Sequence, residues 1–373
     1  MGSGQECTQF YASASNGMAA TYGNPFSSFE LKDMSVLTDQ AGGFTGLNLV
    51  LSTGVASGQS AGDVASTISH VTFRGNDLSG AHTEYWGSAF TESGVSAINV
   101  IGGECDGAAP PSTLGNCYSL NGNIGVPFYS TALNFNGTFM NNCNLGISYG
   151  DFVQGVTLDA VNMTGCARGV TTPVTPTGTL AQLSVVNSQF NTTICGVCIN
   201  DTNTGALGFV GLFLTNDLFI IEPNGTGLIL NGTAWHISNN EFDSVGVMTA
   251  QNGIFLAGNA AAGGIINDNT FNALLNAIDI AAGVTSAQAF IKHNHFFDNT
   301  HDYLIGSGAG AIVIDDDLPR VYATLPACTT AIQTSRFLIT DSPTATFNAA
   351  ITTGGSTNQG VALCLGAGGL VFR

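Results

Sequence analysis

Large apolar residues recur along the middle of the chain at a regular interval. The segment from Phe135 to Ile147 matches the segment from Leu158 to Val170 position by position, at an offset of 23 residues. In each segment an anchor residue, Met140 or Met163, precedes a second aliphatic residue by seven positions. Successive anchors lie 23 to 29 residues apart, and the later ones are Phe190, Phe219, Phe242, Phe271 and Phe297.

This period predicts a right-handed parallel β-helix, in which the strands of each coil pair with the coils above and below at about 4.8 Å. A single coil cannot bury its apolar face, so the stack of coils forms the core. Residues 29–36, 45–51 and 68–76 alternate apolar and polar positions between turn signals and indicate earlier coils. The density of Gly, Asn and Thr excludes a helical solenoid, and the Leu-x-x-Leu-x-Leu signature of leucine-rich repeats is missing.

Polar residues with amide or carboxyl groups accompany the anchors. One column lies three residues before the anchor, at Asn187, Asn216, Asn239, Asp268 and Asn294. A second lies one residue after it, at Asn141, Asn191, Asp243, Asn272 and Asp298. Stacked amides can hydrogen-bond along the axis, and Asn tolerates left-handed turns between strands. The columns therefore support the solenoid and predict its corners.

The pattern also predicts how the chain is divided. We expect a β-helix over residues 1–314, with loop insertions near 79–95, 102–118 and 171–181. Where the pattern stops, we expect a linker over 315–320 and a small C-terminal β domain over 321–373. Because the N-terminal segments already have strand character, we expect no separate adaptor domain there.

The composition restricts the classes of molecule that the protein can bind. Charged residues make up 9% of the chain, with 7 Lys plus Arg against 25 Asp plus Glu, a formal charge of −18. So few cations exclude nucleic acid as a partner, and the net charge repels polyanions. No stretch is long and apolar enough for membrane insertion, and the N-terminus has no signal-peptide pattern. Neutral or weakly charged partners remain.

Nine cysteines leave at least one outside any intrachain disulfide. Cys195-Gly-Val-Cys198 is a single C-x-x-C pair without a second pair or a histidine at zinc spacing. Small buried residues in strands are the simplest interpretation. Cys105–Cys117 and Cys328–Cys364 are candidate local bridges that the sequence leaves open.

The coil phrases at residues 29–36, 45–49 and 68–76 resemble those of phage tail-spike and tail-fibre proteins in the pectin-lyase-like superfamily. The C-terminal segments around Cys328, Asp341, Gly355 and Cys364 are similar to a short module on many phage tail proteins. That module commonly continues with Asp-Gly and a Trp, whereas Leu365-Gly-Ala-Gly-Gly follows here. The resemblance implies a homotrimer in a virion tail or outside the cell, which recognises and often cleaves a host surface polysaccharide.

Glycoside hydrolysis needs two carboxyl groups on one surface, about 5–5.5 Å apart for retention or about 6.5–9.5 Å for inversion. The densest acidic region gives the catalytic candidates Glu241, Asp243, Asp268 and Asp298. Asp243 and Asp298 are predicted to share a column two coils apart, about 9–10 Å from each other. The alternative is that these Asp residues only cap turns. His293 and His295 lie nearby, and we assign no metal and no cofactor.

Aromatic residues next to polar ones predict the substrate contacts. The loop around Trp86 combines aromatic, imidazole and carboxyl groups, which suit stacking on sugar rings and reading of hydroxyls. Trp235-His236 makes a weaker version of the same argument. The candidate substrate-binding residues are His82, Glu84, Tyr85, Trp86, Trp235 and His236. The alternative for Trp86 is a lid on the core or a subunit contact.

A pectate-lyase mechanism is disfavoured because the coils contain few cations and no dense carboxylate cluster. The sequence thus predicts a tail-spike-like receptor-binding protein for a neutral or weakly charged cell-surface polysaccharide, with hydrolysis as its candidate activity. A non-enzymatic structural or adhesive fibre is the alternative from a different class, and a free secreted carbohydrase is the third.

Overall fold

The computed structural model describes most of the chain. The described ranges are 8–23, 28–51, 65–77, 81–108, 114–122, 130–172, 181–191, 196–200, 210–231, 233–246, 251–257, 263–282, 284, 289–306, 312–320, 322–342, 349–355 and 358–372.

These ranges form a parallel β-helix, so the predicted fold class is confirmed. Strands of three faces pair in parallel from coil to coil. The first face carries β3 (Glu30–Thr38), β5 (Ser66–Gly75), β7 (Ile98–Ile101), β10 (Ser130–Asn136), β13 (Val153–Asp159), β16 (Ala181–Val186), β19 (Val210–Thr215), β22 (Thr233–Ser238), β25 (Gly264–Asn267), β28 (Ala289–Lys292) and β31 (Ile312–Arg320).

The second face is built from shorter strands, and β3 and β5 also extend onto it. Its strands are β1 (Gln9–Ala12), β8 (Glu104–Asp106), β11 (Phe139–Asn141), β14 (Asn162–Thr164), β17 (Gln189–Asn191), β20 (Leu218–Ile221), β23 (Glu241–Ser244), β26 (Thr270–Asn272) and β29 (His295–Phe297).

The third face is a separate 11-stranded sheet. Its strands are β2 (Met18–Tyr22), β4 (Thr45–Leu51), β6 (Ser88–Ser93), β9 (Asn116–Asn121), β12 (Leu145–Tyr149), β15 (Arg168–Thr171), β18 (Val197–Asn200), β21 (Thr226–Leu230), β24 (Asn252–Leu256), β27 (Asn276–Ile280) and β30 (His301–Ile305).

The repeat seen in the sequence is the strand register. Phe135 pairs with Leu158, Met140 with Met163, and Ile147 with Val170. Inside the solenoid, Phe190, Phe219, Phe242, Phe271 and Phe296 stack with ring centroids 4.7–5.4 Å apart and nearly parallel planes. The last coil differs from the prediction: Phe271 pairs with Phe296, and Phe297 points outward. The anchor there is one residue earlier than expected.

Disulfides connect neighbouring parts of the solenoid. The two bridges left open by the sequence, Cys105–Cys117 and Cys328–Cys364, are both present. A third joins Cys143 to Cys166, whose Cα atoms lie 4.3 Å apart in successive coils. The sequence carried a signal for it, because these cysteines occupy equivalent positions in the matched segments. Cys198 is buried, and Cys195 lies outside the described residues.

Several predicted loops contain strands. The segment 79–95 includes β6, and 102–118 includes β8 and the start of β9. Of the segment 171–181, residues 173–180 lie outside the described ranges. Residues 315–320, expected as a linker, belong to β31, which pairs with β28 and β32. The division into a β-helix and a C-terminal domain stays a prediction.

The C-terminal module continues from the last coil. It contains β32 (Arg336–Ser342), β33 (Ala350–Ile351), β34 (Asn358–Cys364) and β35 (Leu370–Phe372), with short 3-10 helices at Tyr322–Thr324, Thr330–Ile332 and Gly366–Gly368. β32 pairs in parallel with β31 and antiparallel with β34. The parallel sheet of the first face thus passes directly into the antiparallel pairing of the module.

Candidate functional site

The corner between the first and second faces is formed by residues with left-handed backbone conformation. Their φ angles lie between 53° and 58° at Asn187, Asn216, Asn239, Asp268 and His293. Four of them belong to the column that the sequence placed three residues before the anchor. The fifth is His293, not Asn294, because of the shifted anchor in the last coil. Asn and Asp tolerate this conformation better than most residues.

A buried ladder one residue further along holds this corner in place. The ladder consists of one residue from each of five successive coils: Ser188, Asp217, Asn240, Asn269 and Asn294. The backbone N–H of each of the first four donates to the side-chain oxygen of the next, at 2.8, 2.9, 3.0 and 3.0 Å in that order. The Asn side chains also donate to backbone carbonyls of the preceding coil. These bonds satisfy buried backbone groups and fix the position of the outward-pointing neighbours.

A groove with a volume of about 440 Å³ runs along the outside of this corner. The residues that line it are Asn187, Ser188, Gln189, Asn216, Asp217, Leu218, Asn239 and Glu241. Most of their polar groups are neutral amides, which both donate and accept hydrogen bonds. Asp217 lies at the base of the groove and is 2% exposed. Burial raises the pKa of its carboxyl to about 7, although hydrogen bonds from the N–H groups of Ser188 and Thr215 act to lower it.

A second, smaller groove adjoins it on the first face of the same three coils. Its lining includes Phe213, His236, Ser184, Thr215 and Ser238. The ring of Phe213 is 43% exposed, and His236, a predicted substrate contact, lies beside it in register and is exposed. We call the two grooves together the lateral surface. Residues 181–191, 210–221 and 233–244, which carry it, contain no Lys or Arg.

The lateral surface belongs to a column that changes character along the axis. In the earlier coils this outward column is polar, with Asn99, Asn134 and Thr157 in register. From Phe213 onward it becomes mostly apolar, through His236, Ile265 and Phe290. Phe290 is 57% exposed. The exposed aromatic rings of this column, Phe213 and Phe290, therefore lie in the later coils.

Of the four predicted catalytic residues, Glu241 lines the corner groove, and Asp268 continues the left-handed corner column one coil further. Glu241 is exposed in β23 and pairs with Thr270 of the next coil, two residues after Asp268. This offset puts the Cα atoms of Glu241 and Asp268 about 7–8 Å apart. The side chain of His293 approaches Asp268, with Nδ1 3.9 Å from Oδ1.

The other two do not form the predicted column. Asp243 pairs with Asn272, whose amide donates to its carboxylate at 3.0 Å, and Asn272 pairs with Phe297. Asp298 is therefore one position beyond that column and takes a left-handed φ of 51° in a turn. The predicted alignment of Asp243 with Asp298 was wrong because the ring of Phe296, not Phe297, continues the internal stack.

Both tryptophans are buried, each 2% exposed. The indole of Trp86 donates from Nε1 to the carbonyl of Val36 at 3.1 Å. The indole of Trp235 packs over Gly264, where a Cβ would lie 2.1 Å from the ring. Neither ring can stack on a sugar in this conformation, so we remove both from the candidate contacts. Tyr85 is half-buried beside Gly42 and pairs with Ala41.

His82, from the predicted loop around Trp86, lies near two carboxyl groups that were not among the candidate residues. His82 approaches Asp106, with Nε2 3.5 Å from Oδ1. Glu104 and Asp106 share one side of β8, and their carboxylates accept hydrogen bonds from the side chains of Asn141 and Asn142, each at 3.0 Å. Burial raises the pKa of both carboxyl groups. Glu104 and Asp106 fall in the predicted loop insertion 102–118. Cys105 was a signal for a strand there, because it pairs with the anchor Met140.

The backbone N–H of Glu84 donates to the carboxylate of Asp77 at 3.0 Å. Across the described ranges, no three His, Cys, Asp or Glu side chains are grouped so that they could hold a metal ion. Over the same residues, no helix has the length and hydropathy needed to cross a membrane.

Comparisons with known proteins include a distant structural likeness. No protein-family model and no curated protein sequence matches the chain. Among solved structures, the chain is similar to bacteriophage CBA120 tailspike protein 3, at 11% sequence identity and a TM-score of 0.39. The alignment covers 97% of this chain and 62% of that one, so this chain spans less than two thirds of the tailspike's length. We therefore derive function from the chain's own residues.

Proposed function

We propose that the chain is a receptor-binding protein of the tail-spike type and that a neutral or weakly charged cell-surface polysaccharide lies along its lateral surface. The observation that carries the proposal is the juxtaposition of an exposed aromatic ring, Phe213, with a row of amides at Asn187, Asn216 and Asn239. Aromatic faces stack on the apolar side of sugar rings, while amides and hydroxyls match sugar hydroxyls.

The charge distribution supports a neutral ligand. The three coils that carry the lateral surface have no Lys or Arg, whereas they hold the carboxyl groups of Glu241 and Asp217. A polyanion would meet uncompensated negative charge there. A neutral polysaccharide meets no such repulsion, and its repeating units suit a surface that itself repeats at about 4.8 Å per coil.

Hydrolysis is the catalytic part of the proposal. Glu241 and Asp268 remain our candidate pair, since both are exposed on adjacent coils, and we assign them the inverting geometry, in which the carboxyl groups lie about 6.5–9.5 Å apart. In that geometry one carboxylic acid protonates the glycosidic oxygen while the other, ionised, activates water. The approach of His293 to Asp268 provides a group that could orient that carboxylate.

Binding and cleavage are tested separately on a panel of bacterial surface polysaccharides. We expect Phe213→Ala to weaken binding of the recognised polysaccharide at least tenfold by biolayer interferometry. Phe139→Ala is the matched control, because Phe139 is 50% exposed on the second face, two coils before the groove residue Gln189. Equal affinity of the wild-type protein and both variants for the polysaccharide would reject the lateral surface as the binding site.

For cleavage, we expect Glu241→Gln and Asp268→Asn to abolish release of new reducing ends while leaving polysaccharide binding intact. Asp243→Asn is the control, because that carboxylate is held by Asn272. Binding of the wild-type protein without any cleavage across the panel would favour the adhesive fibre and retire the catalytic assignment.

The homotrimer also stays part of the proposal. Exposed apolar residues in the later coils, including Phe290, Phe297 and Leu304, provide surface that subunit contacts could cover. Light scattering coupled to size-exclusion chromatography should give three times the mass of 38.2 kDa. A mass of one chain at micromolar concentration would reject the trimer without affecting the glycan proposal.

A further inference from the structure

A roomy cavity lies in the C-terminal module, away from the lateral surface. Its volume is about 540 Å³, within the range of about 300–1,000 Å³ that small-ligand sites occupy. Ile351 and Leu370 form a buried floor, and Leu325 and Pro326 form one wall. Tyr322 and Thr352 complete the lining.

Three independent constraints hold the walls of this pocket. The disulfide Cys328–Cys364 ties the Leu325–Cys328 wall to β34. The carboxylate of Asp341 accepts hydrogen bonds from the N–H groups of Tyr322 and Gly355, at 2.6 and 3.0 Å. The floor is closed by the pairing of Ile351 with Leu370 between β33 and β35. A pocket fixed in this way loses little conformational entropy when a ligand enters.

The lining chemistry restricts the ligand. None of the pocket's described lining residues carries a charged side chain. A charged ligand would lose its hydration there without gaining a partner of opposite charge. The apolar floor favours a ligand with an apolar substituent, while Tyr322 brings an aromatic side chain of the kind that packs against sugar rings.

We infer that this pocket is a second carbohydrate site, which takes one uncharged sugar unit bearing an acetamido or deoxy methyl group. The methyl group lies on the floor of Ile351 and Leu370, and the sugar ring packs against Tyr322. The site is separate from the lateral surface and does not depend on it. It would give the C-terminal module a ligand role of its own, recognising a substituent where the lateral surface follows the polysaccharide backbone.

Saturation-transfer difference NMR on the full chain tests the inference. The probes are the methyl glycosides of N-acetylglucosamine, rhamnose, glucose and glucuronic acid. We expect transfer to the acetamido and deoxy methyl protons, and at least fivefold less transfer to glucose and glucuronic acid. Ala327→Trp should reduce the methyl signals at least fivefold, because Ala327 lies exposed at the rim and an indole there occludes the pocket.

Ala350→Trp is the matched control, since Ala350 is exposed on the opposite side of the strand that supplies Ile351. It should leave the signals unchanged. Phe213→Ala should also leave them unchanged, which separates this inference from the proposed function. Methyl signals that survive Ala327→Trp, or that disappear in Phe213→Ala, would overturn the second site. A change of oligomeric mass in Ala327→Trp would assign the pocket to subunit contacts and overturn it as well.

Discussion

At the scale of single residues, Asp217 stands in a ladder position that Asn240, Asn269 and Asn294 occupy in later coils. Both of its carboxylate oxygens accept backbone N–H groups, from Ser188 and Thr215. Burial nevertheless raises its pKa to about 7, from an ordinary value near 3.8. Between about pH 4 and pH 7 the folded state therefore holds a proton that the unfolded state releases, and the free energy of unfolding falls as the pH rises through that window.

We predict that Asp217→Asn raises stability at pH 8 by about 1–3 kcal/mol and has little effect at pH 4. The amide oxygen can still accept the N–H of Ser188, whereas the amide nitrogen cannot accept the N–H of Thr215, so this lost hydrogen bond offsets part of the gain. Thermal unfolding followed by circular dichroism at several pH values measures this difference. Asp39→Asn removes the same charge from a carboxyl whose pKa is lowered to about 2, chiefly by hydrogen bonds from Gln40 and Ser13, and should not stabilise. If Asp217→Asn and Asp39→Asn both stabilised the protein, the cause would be the smaller net charge and not the burial of Asp217.

At the scale of elements, the corner depends on buried amides and the core on stacked rings. Asn269 shows the first dependence: its side chain accepts the N–H of Asn240 and donates to the carbonyl of Ile237. Truncation leaves these groups buried without partners, because neighbouring coils exclude water. The outward Asn272, on the adjoining strand, has no such role, since its amide bonds only the side chain of Asp243.

We predict that Asn269→Ala lowers the free energy of unfolding by about 1–3 kcal/mol for each backbone group left unsatisfied. Asn272→Ala should cost less than about 1 kcal/mol. Urea unfolding compares the two variants. Equal costs would mean that the ladder does not hold the corner.

The anchor stack shows how far sequence reasoning reaches at this scale. The offset of 23 residues between Met140 and Met163 gave the register of two coils directly. In the last coil two phenylalanines are consecutive, and the flanking Asn294, Asp298 and Leu304 matched the pattern with Phe297 as the anchor. The pleat of β29 and the stacking on Phe271 decide which of the two rings faces inward. A single sequence shows neither the pleat nor the stacking. The error moved Asp298 out of its predicted column.

At the scale of the whole molecule, the solenoid joins the C-terminal module through Arg320. Its guanidinium pairs with Asp302 and lies over Phe296 and Tyr303, at 5.0 and 5.5 Å from the ring centroids. It thereby closes the end of the internal ring stack from a strand that continues into the module. Because each coil contacts mainly its neighbours, loss of this contact should act locally.

We predict that Arg320→Ala lowers stability by about 3–5 kcal/mol, as expected for breaking a buried ion pair. Hydrogen exchange should increase in residues 289–305 and 336–342, and stay unchanged in 130–172. Arg336→Ala is the control, because Arg336 is 59% exposed beside Asp315 and exposed pairs contribute about 0–1 kcal/mol. Uniform loss of protection along the solenoid would contradict local coupling.

The sequence by itself determined the β-helix, its period and the left-handed corners, because these follow from short-range repetition of apolar, amide and glycine positions. It also restricted the ligand class through the scarcity of cations. Tertiary structure decided which side chains are accessible: Trp86 and Trp235 turned inward, while Phe213 and His236 came to lie beside the corner amides. It also brought His82 to Asp106 and formed the C-terminal pocket. Pleat parity and the stacking of distant coils set these outcomes, and both depend on contacts between residues far apart in the chain.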